Sequence, residues 1–192
     1  IFFKGSRNVN NFDNKKYAIQ QLPEKSLTYI EIDQLKTIYA KLKLGIDDRG
    51  LIMTAYQPHT FERACLRPCV HTHTFSLVNG TLHLTSYSRS ADWCLGVNFN
   101  LMQAYFFLHL MAQITGNKAG KNFFKFVNCH IYEDHMENAI IEAKREPFDP
   151  PTMTISPEIK TLEDVETIFD VNKHVLVKNY HCHPPLKYDM SV

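Results

Sequence analysis

Residues 65–100 read CLRPCVHTHTFSLVNGTLHLTSYSRSADWCLGVNFN. Asn79-Gly80 sits between two runs in which apolar and polar residues alternate. That combination is the strongest short-range signal for a β-hairpin closed by a two-residue turn. Val, Thr, Phe and Leu suffice to build such strands. This hairpin instead ends in Arg89, Ser90, Asp92 and Asn100, with Cys69 placed just ahead of its first strand. Counting outward from the turn pairs Val70 with Arg89 and so sets a permanent cation beside the Cys69 thiol.

Outward from the hairpin, residues 98–115 are apolar nearly all round and predict a central helix enclosed by other elements. Asp33 opens an earlier helix in which Leu35, Ile38, Tyr39 and Leu42 recur at helical spacing and Gly45 marks the stop. The run GLIMTAY, 50–56, predicts a short strand, with Asp47-Asp48-Arg49 in the turn before it. Residues 123–132 predict another strand, followed by a helix to about Arg145 that Pro147 stops. Pro150-Pro151 is a rigid connection, and Thr161 with Asp164 forms a capping box for a helix over 162–169. HVLVKNY, 174–180, predicts a last strand. The order is α+β, a mixed β-sheet with a buried central helix, without repeated βαβ units. Residues 1–30, rich in Asn and Lys, predict loop with short strands.

The chain has 192 residues, 44% hydrophobic and 21% charged, which predicts one soluble domain over 1–192 with one substantial core. A net charge of +1 leaves no basic excess to track a phosphate backbone, so a generic nucleic-acid binder is not expected. Any bound anion must be held by a local cluster. The five cysteines are odd in number and contain no CxxC pair, which suits a reducing, cytoplasmic setting. The apolar run 99–114 is broken by Asn100, Gln103, His109 and Gln113 and falls short of the roughly 20 residues of a membrane span. No secretory signal is visible.

Cys65, Cys69, His71 and His73 are ligand types that zinc favours, and the last three would share one strand face. Their spacing matches no structural zinc pattern, and alternating His/Thr is an ordinary half-exposed face, so no metal is expected there. Cys69 has two readings. A lone cysteine is commonly a small buried hydrophobe; one beside a cation is a nucleophile candidate. Arg89 and Ser90 together would also clamp a phosphate. Asn100 is either a helix N-cap or a recognition amide. His130 and Tyr132, two apart on a strand, are either a satisfied pair or a polar contact pair.

LRPCVH (66–71), YSRSADWCLGVNFN (87–100), LMAQITG (110–116), CHIYEDH (129–135) and KREPFDPP (144–151), in this order and spacing, resemble the thymidylate synthase family. The resemblance covers about residues 33–192, while 1–32 match poorly. It implies that Cys69 attacks carbon 6 of deoxyuridylate (dUMP), so that carbon 5 takes a one-carbon unit from 5,10-methylenetetrahydrofolate, a co-substrate that also gives a hydride. Arg89 and Ser90 would hold the phosphate, with Arg89 also favouring the thiolate. Asn100 would read the uracil edge, and His130 and Tyr132 would bind the deoxyribose hydroxyl. Asp92 would meet the pterin, and Leu66, Gly96, Phe99 and Val192 would enclose the folate. The resemblance further implies a homodimer in which Arg49 reaches the phosphate of the neighbouring subunit.

Four departures from the family pattern bear on that expectation. Arg49-Gly50 stands where the family usually has two adjacent arginines, Val70 where it has a histidine, and Ser88 where it has a glutamine. The family's N-terminal third, with its acid/base glutamate and folate-side tryptophan, has no counterpart here. These departures keep two alternatives beside a thymidylate synthase: a nucleotide hydroxymethylase of the same family, and a truncated or inactive member that only binds or assembles.

Overall fold

The computed structural model describes residues 4–7, 30–58, 61 and 64–190. Val192, expected at the folate, lies outside them, as does most of 1–30. Two short strands, β1 (Lys4–Arg7) and β2 (Ile30–Asp33), pair antiparallel. Helix α1 (Gln34–Lys43) follows at once, because the Asp33 carboxylate accepts a hydrogen bond from the Lys36 amide at 2.9 Å and caps the first turn. Lys41 and Lys43 sit in its last turn, where positive charge suits the helix dipole.

The central sheet has the order β3 (Ile52–Thr54), β4 (Val70–Val78), β5 (Thr81–Ser88), β7 (Lys118–Phe126). Asn79 and Gly80 take φ of 48° and 73°, the left-handed pair that a tight hairpin turn requires, so β4 and β5 pair antiparallel as the sequence predicts. β5 and β7 run parallel. Between them the chain forms β6 (Ala91–Asp92) and helix α2 (Val97–Thr115), which makes a single βαβ crossover that the element order had not suggested. The sheet is therefore mixed, as expected.

α2 is half enclosed. Leu108, Leu110, Met111, Ala112 and Ile114 are buried, with Leu82 and Leu84 of β5 and Ile38 and Leu42 of α1 in the same core. Each fully buried leucine contributes about 1.5–3 kcal/mol from leaving water. Its first half instead exposes Phe99, Leu101, Met102 and Tyr105, so the expected all-round enclosure does not hold within this chain.

The predicted strand over 123–132 is broken. β7 ends at Phe126, and a separate β8 (Cys129–His130) leaves the sheet to pair parallel with β6. After a 3-10 turn, Glu133–His135, come α3 (Met136–Ala143) and β9 (Thr152–Ile155). β9 pairs with β10 (Val175–Lys178), a strand the sequence reading placed there without its partner. The capping box at Thr161 and Asp164 forms as predicted, with α4 (Leu162–Thr167) behind it. A four-residue helix α5 (Val171–His174) precedes β10.

Candidate active site

The open end of the β4–β5 hairpin carries the nucleophile candidate. The pairing register shifts between Val70 and Thr72, so Val70 faces Ser88 rather than Arg89. A bulge of this kind adds one residue to one strand. It also interrupts the strict alternation that would have lined Cys69, His71 and His73 along one face. The consequence is that Cys69 itself lies across from Arg89, whose amide donates to the Cys69 carbonyl at 2.9 Å.

The Arg89 side chain is tied down. Its Nε donates to the Pro68 carbonyl at 3.1 Å and its Nη2 to the Arg67 carbonyl at 2.7 Å. The same Nη2 lies 3.9 Å from the Cys69 sulfur. Two carbonyls thus fix the guanidinium at the thiol and leave Nη1 without a hydrogen bond among the described residues. The field of Arg89 reaches His71, whose pKa is lowered first by burial and then by that charge. Ser88 donates to the Ser90 carbonyl at 2.7 Å, which holds the turn that follows Arg89.

β6–β8 pairing gathers the next group. It sets Asp92 opposite His130, with Trp93 donating its amide to the His130 carbonyl at 3.0 Å. Asp92 Oδ1 accepts the amides of Cys94 and Leu95 at 3.0 and 3.2 Å, which leaves Oδ2 uncommitted among the described residues. The His130 and Tyr132 rings stand edge to face, with centroids 5.1 Å apart, and His130 Nδ1 lies 2.9 Å from Asn128 Oδ1.

Gly96, not Asn100, is the N-cap of α2. Asn100 lies one turn inside, its amide donating to the Gly96 carbonyl at 3.0 Å. The capping alternative for Asn100 is therefore excluded, and its side chain makes no hydrogen bond among the described residues. A Cβ added at Gly96 would stand 3.4 Å from the Asp92 carbonyl and 3.6 Å from Asn100 Nδ2, which shows how closely the three residues sit. Leu66 and Phe99 are 74% and 72% exposed, so two large apolar side chains are offered to solvent rather than to the core.

Arg49 is not brought into this group. It is exposed in the turn before β3, and no hydrogen bond or ion pair joins it to Cys69, Arg89 or Ser90 among the described residues. Its neighbour Asp48 is held by Lys41 and accepts the Gly50 amide, and the Lys41 hydrogen bond lowers its carboxyl pKa.

Several residues near the site went unread in the sequence. Arg67 lends its carbonyl to Arg89 and stacks its own cation over Phe61, 5.0 Å from the ring centre. His135, Cys94, Glu142 and Tyr188 form a polar knot where α3 meets the C-terminal segment. Tyr188 donates to Glu142 at 2.7 Å, and its phenol is pushed well up, first by burial and then by that carboxylate. The Cys94 thiol is pushed up by burial and by Asp92. His135 closes the CHIYEDH motif, which is the signal that marked it.

The thymidylate synthase family model matches residues 6–192, reaching back into the stretch that carried no trusted resemblance. Thymidylate synthase of Haemophilus influenzae (strain PittEE) is 56% identical over 162 residues, covering 84% of this chain and 57% of that protein. Thymidylate synthase of Pasteurella multocida (strain Pm70) is 54% identical over the same length. Among solved structures, the thermostable thymidylate synthase A from Bacillus subtilis superposes with a TM-score of 0.78 at 30% identity, over 88% of this chain and 59% of that one. The chain thus spans under two thirds of the length of these relatives.

Proposed function

Because this chain belongs to the thymidylate synthase family, we propose that it catalyses the reductive methylation of deoxyuridylate to thymidylate with 5,10-methylenetetrahydrofolate as co-substrate. The observation that carries the reading is the Cys69 sulfur held 3.9 Å from a guanidinium that two backbone carbonyls immobilise. In this reading the sulfur bonds to carbon 6 of the pyrimidine, and the C5–C6 π pair moves onto carbon 5 and the adjoining carbonyl. Carbon 5, otherwise a weak nucleophile, can then accept a one-carbon group. Loss of the carbon-5 proton would release the folate nitrogen and leave an exocyclic methylene on carbon 5. A hydride gained by that methylene carbon makes it the methyl group, expels the Cys69 sulfur as thiolate and restores the C5–C6 double bond.

Arg89 Nη1 and the Ser90 hydroxyl are the donors we assign to the phosphate. Asn100 can donate and accept at once, which matches the imide edge of uracil. His130 and Tyr132 are assigned to the deoxyribose hydroxyl. For the folate, Asp92 Oδ2 is an uncommitted acceptor for pterin N–H groups, and the exposed Leu66 and Phe99 suit a flat apolar ring. Gly96 is assigned to the same folate, as is Val192, which lies outside the described residues. Bound folate supplies the one-carbon unit and the hydride.

Covalent trapping tests this. The intact protein, incubated with 5-fluorodeoxyuridylate and methylenetetrahydrofolate, is expected to gain the mass of both by mass spectrometry. Cys69→Ser should gain neither, while Cys65→Ser and Cys182→Ser should behave as wild type. No adduct on the wild-type chain, or an adduct that survives in Cys69→Ser, overturns the proposal.

We further assign a homodimer in which Arg49 serves the neighbouring phosphate, because its exposed guanidinium has no hydrogen-bond partner among the described residues. Mixed Cys69→Ser and Arg49→Ala chains should regain activity above either parent, since one site in the hybrid carries neither lesion. Subunit exchange without recovery would remove the assignment.

A further inference from the structure

Asp92, Cys94 and His135 each offer one ligand atom, and the three atoms lie within 4.8 Å of one another. Asp92 and Cys94 lie two residues apart, at the end of β6 and in the loop before α2, and tertiary structure brings His135 to them from the turn before α3. Proximity of this kind is common and decides nothing by itself. The state of His135 is the second observation.

The His135 ring is 2% exposed. Its Nε2 lies 2.7 Å from the Asp189 backbone carbonyl. A carbonyl only accepts, so Nε2 must carry the proton, and in the neutral ring Nδ1 must then be a bare lone pair. That Nδ1 is buried and has no hydrogen-bond partner among the described residues. A buried nitrogen without a donor is costly. One ring nitrogen donating to a backbone carbonyl while the other presents a lone pair is the arrangement that metal-bound histidines adopt. Asp92 adds an uncommitted carboxylate oxygen, and Cys94 a sulfur.

We propose that Asp92, Cys94 and His135 form a binding site for a thiophilic divalent cation of the zinc class, bridging the β6 loop and the turn before α3. Nitrogen, sulfur and carboxylate oxygen together select zinc, or cobalt in its place, over magnesium and calcium. A tetrahedral ion sets its ligand atoms roughly 3.3–3.6 Å apart, so the side chains close inward by about an ångström from their present spacing. Binding breaks the Cys94 S–H bond, forms the sulfur–metal bond and releases that proton to solvent; His135 releases none. The fourth position is left to water. Because the Asp189 carbonyl holds His135, the ion would also fasten the C-terminal segment against α3. The site shares Asp92 with the pterin contact assigned above, so a bound ion and bound folate would compete for its Oδ2.

Cobalt(II) titration of the full chain tests the proposal. The wild type should take one equivalent, with tetrahedral visible bands and a thiolate-to-cobalt charge-transfer band, and zinc should displace the cobalt and raise the thermal midpoint. Cys94→Ser should abolish the charge-transfer band, and His135→Gln, which keeps a polar side chain of similar reach, should weaken binding at least tenfold. Cys69→Ser should leave both signals intact, and so should Cys182→Ser, whose cysteine lies between His181 and His183 and is the competing ligand set. A charge-transfer band that persists in Cys94→Ser, is lost in Cys182→Ser, or is never seen overturns the assignment.

Discussion

Between its turn and its open end, the β4–β5 hairpin changes character. Near the turn, Phe75, Leu77, Leu82 and Leu84 are buried in the core that also holds the second half of α2. At the open end the register slips by one residue, Cys69 and Arg89 are only half-buried, and the arginine spends its donors on carbonyls of the approaching loop. α2 repeats the pattern. Leu108 to Ile114 lie inside, while Phe99 and Met102 face out. One pair of elements is anchor at one end and candidate site at the other. A reactive group is held most firmly when the rigid element that bears it is packed elsewhere.

The largest effect on stability that this comparison forecasts is at the anchored end. Leu84 has no solvent exposure. Leu84→Ala should destabilise the fold by about 2–5 kcal/mol, the transfer loss plus the cavity that rigid neighbours leave. Urea unfolding measures it. Cys69→Ser, at the open end, should shift the same midpoint little. Equal losses from the two substitutions would erase the distinction between anchor and site.

His73 stands between the two ends, paired with Ser86 across the strands, and tests where the anchor begins. Its Nδ1 lies 2.8 Å from Ser86 Oγ and its ring packs against Phe107. Burial, and to a lesser degree the nearby His71, lower its pKa to about 4. Between that value and the unfolded value of roughly 6.5, the unfolded chain binds a proton that the folded chain refuses. Stability therefore rises with pH across this window. The contribution is complete above pH 6.5 and is lost as pH falls toward 4, at most about 3 kcal/mol. His73→Gln should flatten the wild-type decline in unfolding free energy between pH 7 and pH 4. Parallel declines in the two proteins would mean that His73 titrates as if already in the open end.

How much of this was legible follows the same division. The turn at Asn79-Gly80, the Asp33 cap and the Thr161–Asp164 box each depend on residues within a few positions, and all three form. The bulge at the open end leaves no mark in local composition, so simple counting placed Val70 opposite Arg89. β9 was missed because four alternating residues behind Pro150-Pro151 look like the end of a rigid loop, and only pairing with β10, some 20 residues on, makes them a strand. The knot of Cys94, His135, Glu142 and Tyr188 joins residues up to 94 positions apart, which no periodicity can reveal. The apolar first half of α2 was read as enclosed because composition reports that a face must be covered and not where its cover comes from.

Asn100 sharpens the comparison at the finest scale, because it sits where the exposed half of α2 begins. The cap of that helix is Gly96, and the Asn100 side chain makes no hydrogen bond among the described residues. Asn100→Asp should accordingly leave stability within about 0.5 kcal/mol, as a surface change away from packing does. Recognition is another matter. An amide can turn to meet a carbonyl and an imide hydrogen together, whereas an ionised carboxylate only accepts and suits the amino group of cytosine. The mispaired polar group costs about 1–3 kcal/mol, or roughly one to two orders of magnitude in relative turnover. Competition between deoxyuridylate and deoxycytidylate, on wild type and Asn100→Asp, measures the shift. An unchanged ratio with unchanged stability would strip Asn100 of any recognition role. A changed ratio accompanied by a large stability loss would instead mean that the open end of the helix is as much anchor as the buried end.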